Sequence, residues 1–157
     1  MLQIKNAKTT PATDVTQSIY VTVAERQTIA QASVYYLVEL TSLGSENSLY
    51  FIPTTVVADN GRYTQMTFTV IDSGEAASPT TGRFKFFDAT GGFDTYPMGF
   101  YIYNIYEQTS STNLDPDLSG KKLQEGMAYV FDFDGNMEEV TPDFNEYNAT
   151  TTQYIYP

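Results

Sequence analysis

The 157-residue chain contains no cysteine, no histidine and no tryptophan. Without cysteine it has no disulfide framework, no zinc knuckle and no thiol nucleophile. Without histidine it lacks the side chain that most often serves as a general base or as a metal ligand. These two absences remove most classes of enzyme, and we expect a protein that is not an enzyme.

Charge is also scarce, and most of it is negative. Charged residues make up 17% of the chain, against roughly 25% in an average soluble domain. The net charge is −11, and residues 107–157 hold ten acidic residues but only two basic ones, Lys121 and Lys122. This balance repels phosphate backbones and anionic lipid surfaces. Neither a nucleic acid nor a membrane is expected as a direct partner.

Long apolar runs are missing. No segment approaches the ~20 apolar residues that a membrane-spanning helix needs. The first eight residues, Met1–Lys8, lack the apolar core of a signal peptide, so no targeting segment is expected. At this length the chain is predicted to form one domain with a core of its own.

The sequence does show a regular alternation of apolar and polar residues, with a period of two. Apolar and polar residues alternate over Ile19–Val23 and Tyr63–Val70, and Val34–Leu40 is almost continuously apolar, which indicates a central strand. The sequence predicts an all-β fold, a single antiparallel β-sandwich that is Ig-like or jelly-roll-like, with roughly eight or nine short strands. The other predicted strands are Leu49–Ile52, Gly82–Phe87, Phe100–Glu107, Met127–Phe133 and Tyr154–Tyr156.

The predicted sandwich domain covers residues 18–157. Residues 1–17 are mostly polar and carry Pro11, so we expect an N-terminal arm or a first strand there.

One cluster has the oxygen-rich composition of a metal site. Asp132, Asp134 and Asn136 alternate along the chain, as calcium ligands do, although the glycine and the final acid of an EF-hand loop are misplaced. The same residues fit a hairpin with a type I′ turn at Asp134-Gly135. We favour the hairpin and expect no cofactor; calcium at these three residues is the alternative.

Other candidates for chemistry have simpler explanations. Glu138 and Glu139 are adjacent on a predicted strand, so they point to opposite faces and do not pair as catalytic carboxylates. Asn113 and Asp115 are expected to cap a turn. Lys121 and Lys122 lie in a polar connection and are expected to be solvated rather than to activate a serine. We predict no catalytic residue.

A glycine-containing loop at residues 88–99 is the best candidate for a contact surface. It presents Phe93, Tyr96 and Met98, residue types that are common in interfaces. We predict these three as interface residues. Exposed aromatics of this kind also stack on sugar rings, so a carbohydrate-binding β-sandwich module is the alternative function.

The segment Tyr101–Phe131 carries a recognisable signature. It contains Ile-Tyr-Glu-Gln, then Ser-Ser-Thr-Asn-Leu-Asp-Pro, then Leu-Gln-Glu-Gly, and we expect a strand, a long polar connection, and a second strand that begins after Gly126. This series of motifs resembles the sequences of small β-sandwich virion proteins of tailed bacteriophages, especially crAss-like phages of Bacteroidetes hosts. The likeness extends over residues 18–157. Further matching segments are Ile19–Ile29, Tyr35–Leu40, Gly61–Val70, Thr81–Phe86 and the tail from Glu146 to Tyr156.

The resemblance implies a non-enzymatic component of a virion, assembled in the cytoplasm of a bacterial host. It implies an auxiliary or decoration capsid protein, a head-fibre base or a tail-associated module. The implied partners are the major capsid protein or other virion proteins, and further copies of the chain in an oligomer or lattice. Residues 1–17 and 88–99 extend beyond the family pattern, and lattice-specific contacts are expected there.

Overall fold

A computed structural model of the chain describes residues 1–9, 12–59, 63–71, 75–86 and 96–131. Within these residues all regular structure is β-strand apart from two single 3₁₀ turns, at Pro79–Thr81 and Pro116–Leu118. The strands are β1 (Leu2–Lys5), β2 (Lys8–Thr9), β3 (Ala12–Thr13), β4 (Val15–Val21), β5 (Tyr35–Ser42), β6 (Ser48–Phe51), β7 (Thr55–Asp59), β8 (Tyr63–Val70), β9 (Arg83–Phe84), β10 (Gly99–Gln108) and β11 (Lys122–Phe131).

The strands form two sheets that enclose one core. The larger sheet has five strands in the order β1-β11-β10-β5-β6, and all its pairs are antiparallel except β1 with β11. The smaller sheet has the order β4-β8-β7, and the short β9 runs parallel to the end of β8. The short β2–β3 hairpin lies in the chain between β1 of one sheet and β4 of the other. The predicted all-β sandwich fold is confirmed.

The core is built around a continuous series of aromatic rings. Phe51 of the larger sheet lies 5.1 Å from Phe68 of the smaller sheet and 4.2 Å from Phe84, measured between ring centroids. The series continues through Phe86, whose centroid is 5.8 Å from that of Tyr101. Each of these side chains is completely buried. Aromatic side chains provide large buried areas and pack at offset or edge-on angles, so this series joins the two layers.

Side-chain amides join the layers at their edges. The amide of Gln17 in β4 accepts a hydrogen bond from the backbone N–H of Lys5 (2.9 Å) and donates one to its carbonyl (2.8 Å). Further along the same edge, just after β4 ends, the backbone N–H of Thr22 donates a hydrogen bond to the side-chain carbonyl of Gln124 in β11 at 3.0 Å. These bonds satisfy backbone groups that no neighbouring strand reaches.

The N-terminal residues form strands. Leu2–Lys5 pairs with Ala128–Phe131, and Ile4 is 1% exposed in the core. The strand Val15–Val21 crosses the predicted boundary between residues 17 and 18. Because β1 sits in one sheet and β4 in the other, this segment contributes to both layers.

Most predicted strands are present, with shifts of one to a few residues at their ends. Tyr63–Val70 has the bounds that its alternation predicts, and the apolar run from Val34 forms β5, which lies between β10 and β6. The predicted strand from Gly82 is shorter, because only Arg83–Phe84 pairs with β8. The predicted strand at residues 154–156 lies outside the described part of the chain.

The prediction that the last strand of the signature begins after Gly126 is wrong. This strand, β11, begins at Lys122, and Gly126 lies in its interior opposite Tyr103. A Cβ atom at Gly126 would meet the Tyr103 ring at 2.7 Å. The ring therefore covers the glycine, an arrangement in which an aromatic side chain compensates for a glycine in the neighbouring strand. The glycine makes room for a ring and does not end the strand.

We predict that Gly126→Ala lowers the free energy of unfolding by about 1–3 kcal/mol, because the new methyl group displaces the Tyr103 ring. Gly44→Ala is the matched control, since a Cβ there finds only ordinary contacts at 3.8 Å. Chemical denaturation of both variants measures the difference. Equal stability of the two variants would contradict the packing described.

Candidate binding surfaces

The signature Ile-Tyr-Glu-Gln places a carboxylate inside the protein. Glu107, near the end of β10, is 1% exposed. Its Oε2 atom accepts hydrogen bonds from the backbone N–H groups of Thr28 (2.7 Å) and Ile29 (3.1 Å), and its Oε1 atom accepts one from the Thr28 hydroxyl. Three donors from one loop thus replace the water that the carboxylate loses on burial.

The same hydrogen bonds set the protonation of Glu107. Burial acts to raise the pKa of this carboxyl group, but the hydrogen bonds from Thr28 and Ile29 and the positive charge of Lys121 outweigh it, and the pKa is lowered from 4.5. The group is therefore a carboxylate at neutral pH. A carboxylate that accepts hydrogen bonds from rigid backbone donors holds a loop in place.

The residue after Glu107 organises the polar connection between β10 and β11. Gln108 is 3% exposed; its Nε2 donates to the carbonyl of Asn113 (3.1 Å), and its Oε1 accepts from Asn113 Nδ2 (2.9 Å) and from the Ser119 hydroxyl (3.1 Å). Asp115 accepts a hydrogen bond from the N–H of Asp117 and so caps the Pro116–Leu118 turn. The prediction that Asn113 and Asp115 form a turn is confirmed.

The signature is thus a structural unit. Its strand supplies Glu107 and Gln108, its Asn-Leu-Asp-Pro stretch supplies the capped turn, and the Thr28-Ile29 loop that binds Glu107 belongs to the matching segment Ile19–Ile29. Both lysines are exposed as predicted; the ammonium of Lys121 donates to the carbonyl of Arg26, and that of Lys122 pairs with Glu125.

The outward face of the five-stranded sheet carries a second carboxylate cluster at its middle. Glu39 of β5 accepts hydrogen bonds from Asn104 Nδ2 (2.9 Å) and from the hydroxyls of Tyr106 (2.9 Å) and Tyr50 (3.2 Å). Burial, together with the nearby charge of Glu39, raises the pKa of Tyr106 to about 12. The pKa of Tyr50 is raised as well, so both tyrosines are protonated donors to Glu39 at neutral pH, while the Oδ1 atom of Asn104 is buried without a hydrogen-bond partner.

Beyond this cluster, towards the beginning of β10, the same face is open and apolar. Phe100 and Met127 are 49% and 47% exposed, and the Phe100 and Tyr129 rings lie 5.0 Å apart. We call Leu43, Met98, Phe100, Ile102, Met127 and Tyr129 the β10–β11 patch. Large exposed apolar residues that cluster on one face mark interaction sites.

The neighbours of the patch across the sheet are neutral, while Glu125, two residues before Met127 on β11, is an exposed carboxylate. Across the sheet, Ile102 lies opposite Thr41, which in turn lies opposite Ser48, while Tyr129 lies opposite Gln3. Aromatic residues and methionine are enriched in protein interfaces, and charged residues are depleted from interface centres. The composition of the patch is therefore that of a protein contact.

The three predicted interface residues have different positions. Met98 is 41% exposed and belongs to the patch, directly before the beginning of β10. Tyr96 is half-buried against the core, and its hydroxyl donates to the carbonyl of Ser48 at 3.3 Å. Phe93 lies outside the described residues. The sequence did not single out Phe100, Met127 or Tyr129, which alternate as outward residues of two paired strands.

The candidate calcium ligands Asp132, Asp134 and Asn136, and the predicted hairpin around them, also lie outside the described residues. Among the residues that the structure does describe, no three acidic side chains are placed to hold a metal ion. No helix in that part of the chain is long and apolar enough to cross a membrane.

The outward face of the smaller sheet is a ladder of hydroxyls. Thr16 pairs with Thr69 and Ser18 with Thr67, each with a 2.9 Å hydrogen bond between side chains. Tyr20 extends from this face and is 64% exposed. Since these hydroxyls already bond to each other, the ladder stabilises strand pairing.

A cleft lies where the end of β6, the Pro79–Thr81 turn and the polar connection meet. Its volume is about 220 Å³. One aromatic residue, two apolar residues and four hydroxyl residues surround it, and none of them is charged. They are Tyr35, Ile52, Pro53, Thr54, Thr80, Thr81 and Ser111.

Comparison with known proteins found no matching family model, no matching curated protein and no matching solved structure.

We predict that Glu107→Gln destabilises the protein by about 1–3 kcal/mol at pH 7, because hydrogen bonds to a charged group are lost. The folded protein lowers the pKa of Glu107, so its stabilising effect is complete above the ordinary value of 4.5 and is lost as the pH falls through the folded value. The variant should therefore lose less stability than the wild type as the pH falls below about 5.

The matched control is Glu25→Gln, which changes an exposed carboxylate of the same loop. Denaturation of the wild type and both variants at a series of pH values measures the effect. If the acid sensitivity of Glu107→Gln equals that of Glu25→Gln, the role given to Glu107 is wrong.

Proposed function

We propose that the chain is a non-enzymatic structural component of a bacteriophage virion, most simply an auxiliary or decoration protein that binds the capsid in many copies. The β10–β11 patch supports this proposal more than any other feature. A sandwich with an open apolar patch on one sheet has a surface that gains free energy when a partner covers it.

The chemistry of the patch favours a protein partner. Its centre combines the tilted Phe100–Tyr129 pair with Met127, whose flexible thioether adapts to an irregular partner surface. Its neighbours Thr41, Ser48 and Gln3 supply neutral hydrogen-bonding groups for a rim. The partner surface on a capsid or other virion protein is accordingly apolar and aromatic at its centre.

The signature that resembles phage virion proteins supports the class of the partner. In this chain the signature segment contains most of β10 and all of β11, two paired strands of the larger sheet. The β10–β11 patch lies mainly on these two strands. Met98, which precedes β10, belongs to the segment that is longer than the family pattern.

We predict that the double variant Phe100→Ser/Met127→Ser is lost from purified virions, with at least about a tenfold drop in copies per particle, because two central apolar contacts disappear. Quantitative mass spectrometry of particles from the phage that carries the gene measures the copy number. Because both side chains are about half exposed in the free protein, the variant is expected to remain folded.

The control is Tyr20→Ser/Tyr63→Ser, which removes two exposed aromatic residues from the other sheet. This variant is expected to remain on the particles at the wild-type level. Virions that lack the wild-type chain would refute the proposed function. Virions that keep the patch variant at full copy number would refute the patch as the docking surface.

A further inference from the structure

We propose that the cleft beside Tyr35 binds one pyranose unit of a neutral glycan. This function is additional to docking on a particle. It gives the carbohydrate-binding alternative a location that the sequence did not indicate, beside Tyr35 of the five-stranded sheet.

The walls of the cleft match the two surfaces of a sugar. A pyranose has apolar faces of C–H groups and an equatorial rim of hydroxyls. The cleft offers the ring of Tyr35, which is 43% exposed, and the apolar atoms of Ile52 and Pro53. Around these lie the hydroxyls of four residues, Thr54, Thr80, Thr81 and Ser111.

Several of these polar groups are available to a ligand. Within the described part of the chain, the hydroxyls of Tyr35, Thr80 and Ser111 have no hydrogen-bond partner. The hydroxyl of Thr54 donates to a backbone carbonyl and keeps its acceptor capacity, whereas that of Thr81 bonds to both the carbonyl and the hydroxyl of Ser78. A sugar hydroxyl both donates and accepts, so it suits such a mixture of donors and acceptors.

The cleft is rigid on the side of the Pro79–Thr81 turn. Ile52 donates its backbone N–H to the carbonyl of Pro79 at 2.9 Å. Gly82 ends the turn with a φ of +69°, and a Cβ there would meet the Ile52 carbonyl and the Thr54 nitrogen at 3.0 Å. The turn therefore packs directly on the chain beyond β6. A preformed wall reduces the entropy that binding costs.

The opposite side of the cleft is positioned by the signature. The hydroxyl of Ser110 accepts hydrogen bonds from the N–H groups of Thr112 (3.2 Å) and Asn113 (3.1 Å), and Asn113 is fixed by Gln108. Ser111 lies within this turn. Gln108 is also paired with Tyr35, across β10 and β5. One buried glutamine therefore positions both the Tyr35 ring and the turn that carries the Ser111 hydroxyl.

The size and neutrality of the cleft select among ligands. A volume of about 220 Å³ is below the 300–1,000 Å³ of pockets for drug-sized molecules and suits a single ring. With no lysine or arginine in its lining, the cleft offers nothing to phosphate, sulfate or carboxylate groups. A purely apolar ligand would leave the hydroxyls of Thr80 and Ser111 buried and unpaired. A neutral sugar packs its C–H faces on the apolar surface of the cleft and forms hydrogen bonds with the hydroxyl groups of the lining.

The test is an NMR titration of the full chain with methyl α-glucopyranoside, methyl β-galactopyranoside, methyl α-mannopyranoside and N-acetylglucosamine, with glucuronic acid as the anionic comparison. At least one neutral probe is expected to bind with a dissociation constant on the order of 1 mM, the range for a ligand of about a dozen heavy atoms. The signals that shift should be those of Thr54, Thr80, Thr81 and Ser111.

Two substitutions then separate the contributions. Tyr35→Ala is expected to weaken binding about tenfold or more through loss of the stacking face. Thr80→Val keeps the side-chain shape and is expected to weaken it about threefold to tenfold through loss of a hydroxyl. Tyr63→Ala, which removes an exposed tyrosine from the other sheet, is the control and is expected to bind as the wild type does. The amide spectrum of each variant verifies that it is folded.

Each contrary outcome overturns the proposal. The absence of cleft shifts for all four neutral probes up to roughly 20 mM excludes a pyranose site of the expected strength. Loss of binding in Tyr63→Ala but not in Tyr35→Ala would show that the sugar binds to the smaller sheet and not in the cleft. Binding of glucuronic acid as tight as that of the neutral probes would refute the neutral specificity. Glycan oligomers on an array distinguish a unit within a polysaccharide from a free monosaccharide.

Discussion

The larger sheet depends on the buried carboxylate of Glu107. A buried charge is tolerated only when fixed donors replace its water, and here the Thr28-Ile29 loop provides all three. The loop must therefore dock at the end of β10. The backbone of Glu107 also donates its N–H to the Lys121 carbonyl at 3.0 Å and accepts from the Gly120 N–H at 2.8 Å, so the polar connection closes at the same residue. One residue fixes a loop, a strand end and a connection.

This arrangement divides the outward face of the sheet into three parts. At the Gln108 end the face is covered over Leu37, which points outward from β5 yet is completely buried, while the ring of Tyr35 at the margin stays 43% exposed beside the cleft. In the middle, Glu39 engages its tyrosine and asparagine donors. Within the described residues, the part near the beginning of β10 holds the largest group of exposed apolar side chains on this face. The position of the β10–β11 patch thus follows from where the polar networks end.

The sequence predicts the class of fold because its alternation is strong: Tyr63–Val70 is a strand with the bounds that its pattern gives. It does not predict contacts between distant segments. Gly126 looks like a strand boundary, and only the Tyr103 ring above it shows why a glycine continues the strand. The patch and the cleft are also absent from the sequence pattern, because Phe100 and Met127, or Tyr35 and Ser111, come together only through strand register and a folded connection. The sequence does draw attention to Met98, as a large apolar residue in a glycine-containing loop, and the structure shows this side chain exposed.

The two proposed surfaces lie at opposite ends of one strand pair. Phe100 is near the beginning of β10, whereas Tyr35 lies opposite Gln108 at its end. Eight residues separate Phe100 from Gln108, which is roughly 25 Å at the rise of a β-strand. A partner centred on Phe100 and Met127 would therefore leave the cleft accessible. A protein that docks by one end of a rigid sheet and presents a neutral, hydroxyl-lined cleft at the other can bind two unlike partners at the same time. The buried Glu107 and Gln108 make this possible, because they keep the far end of the sheet fixed without any help from the docking surface.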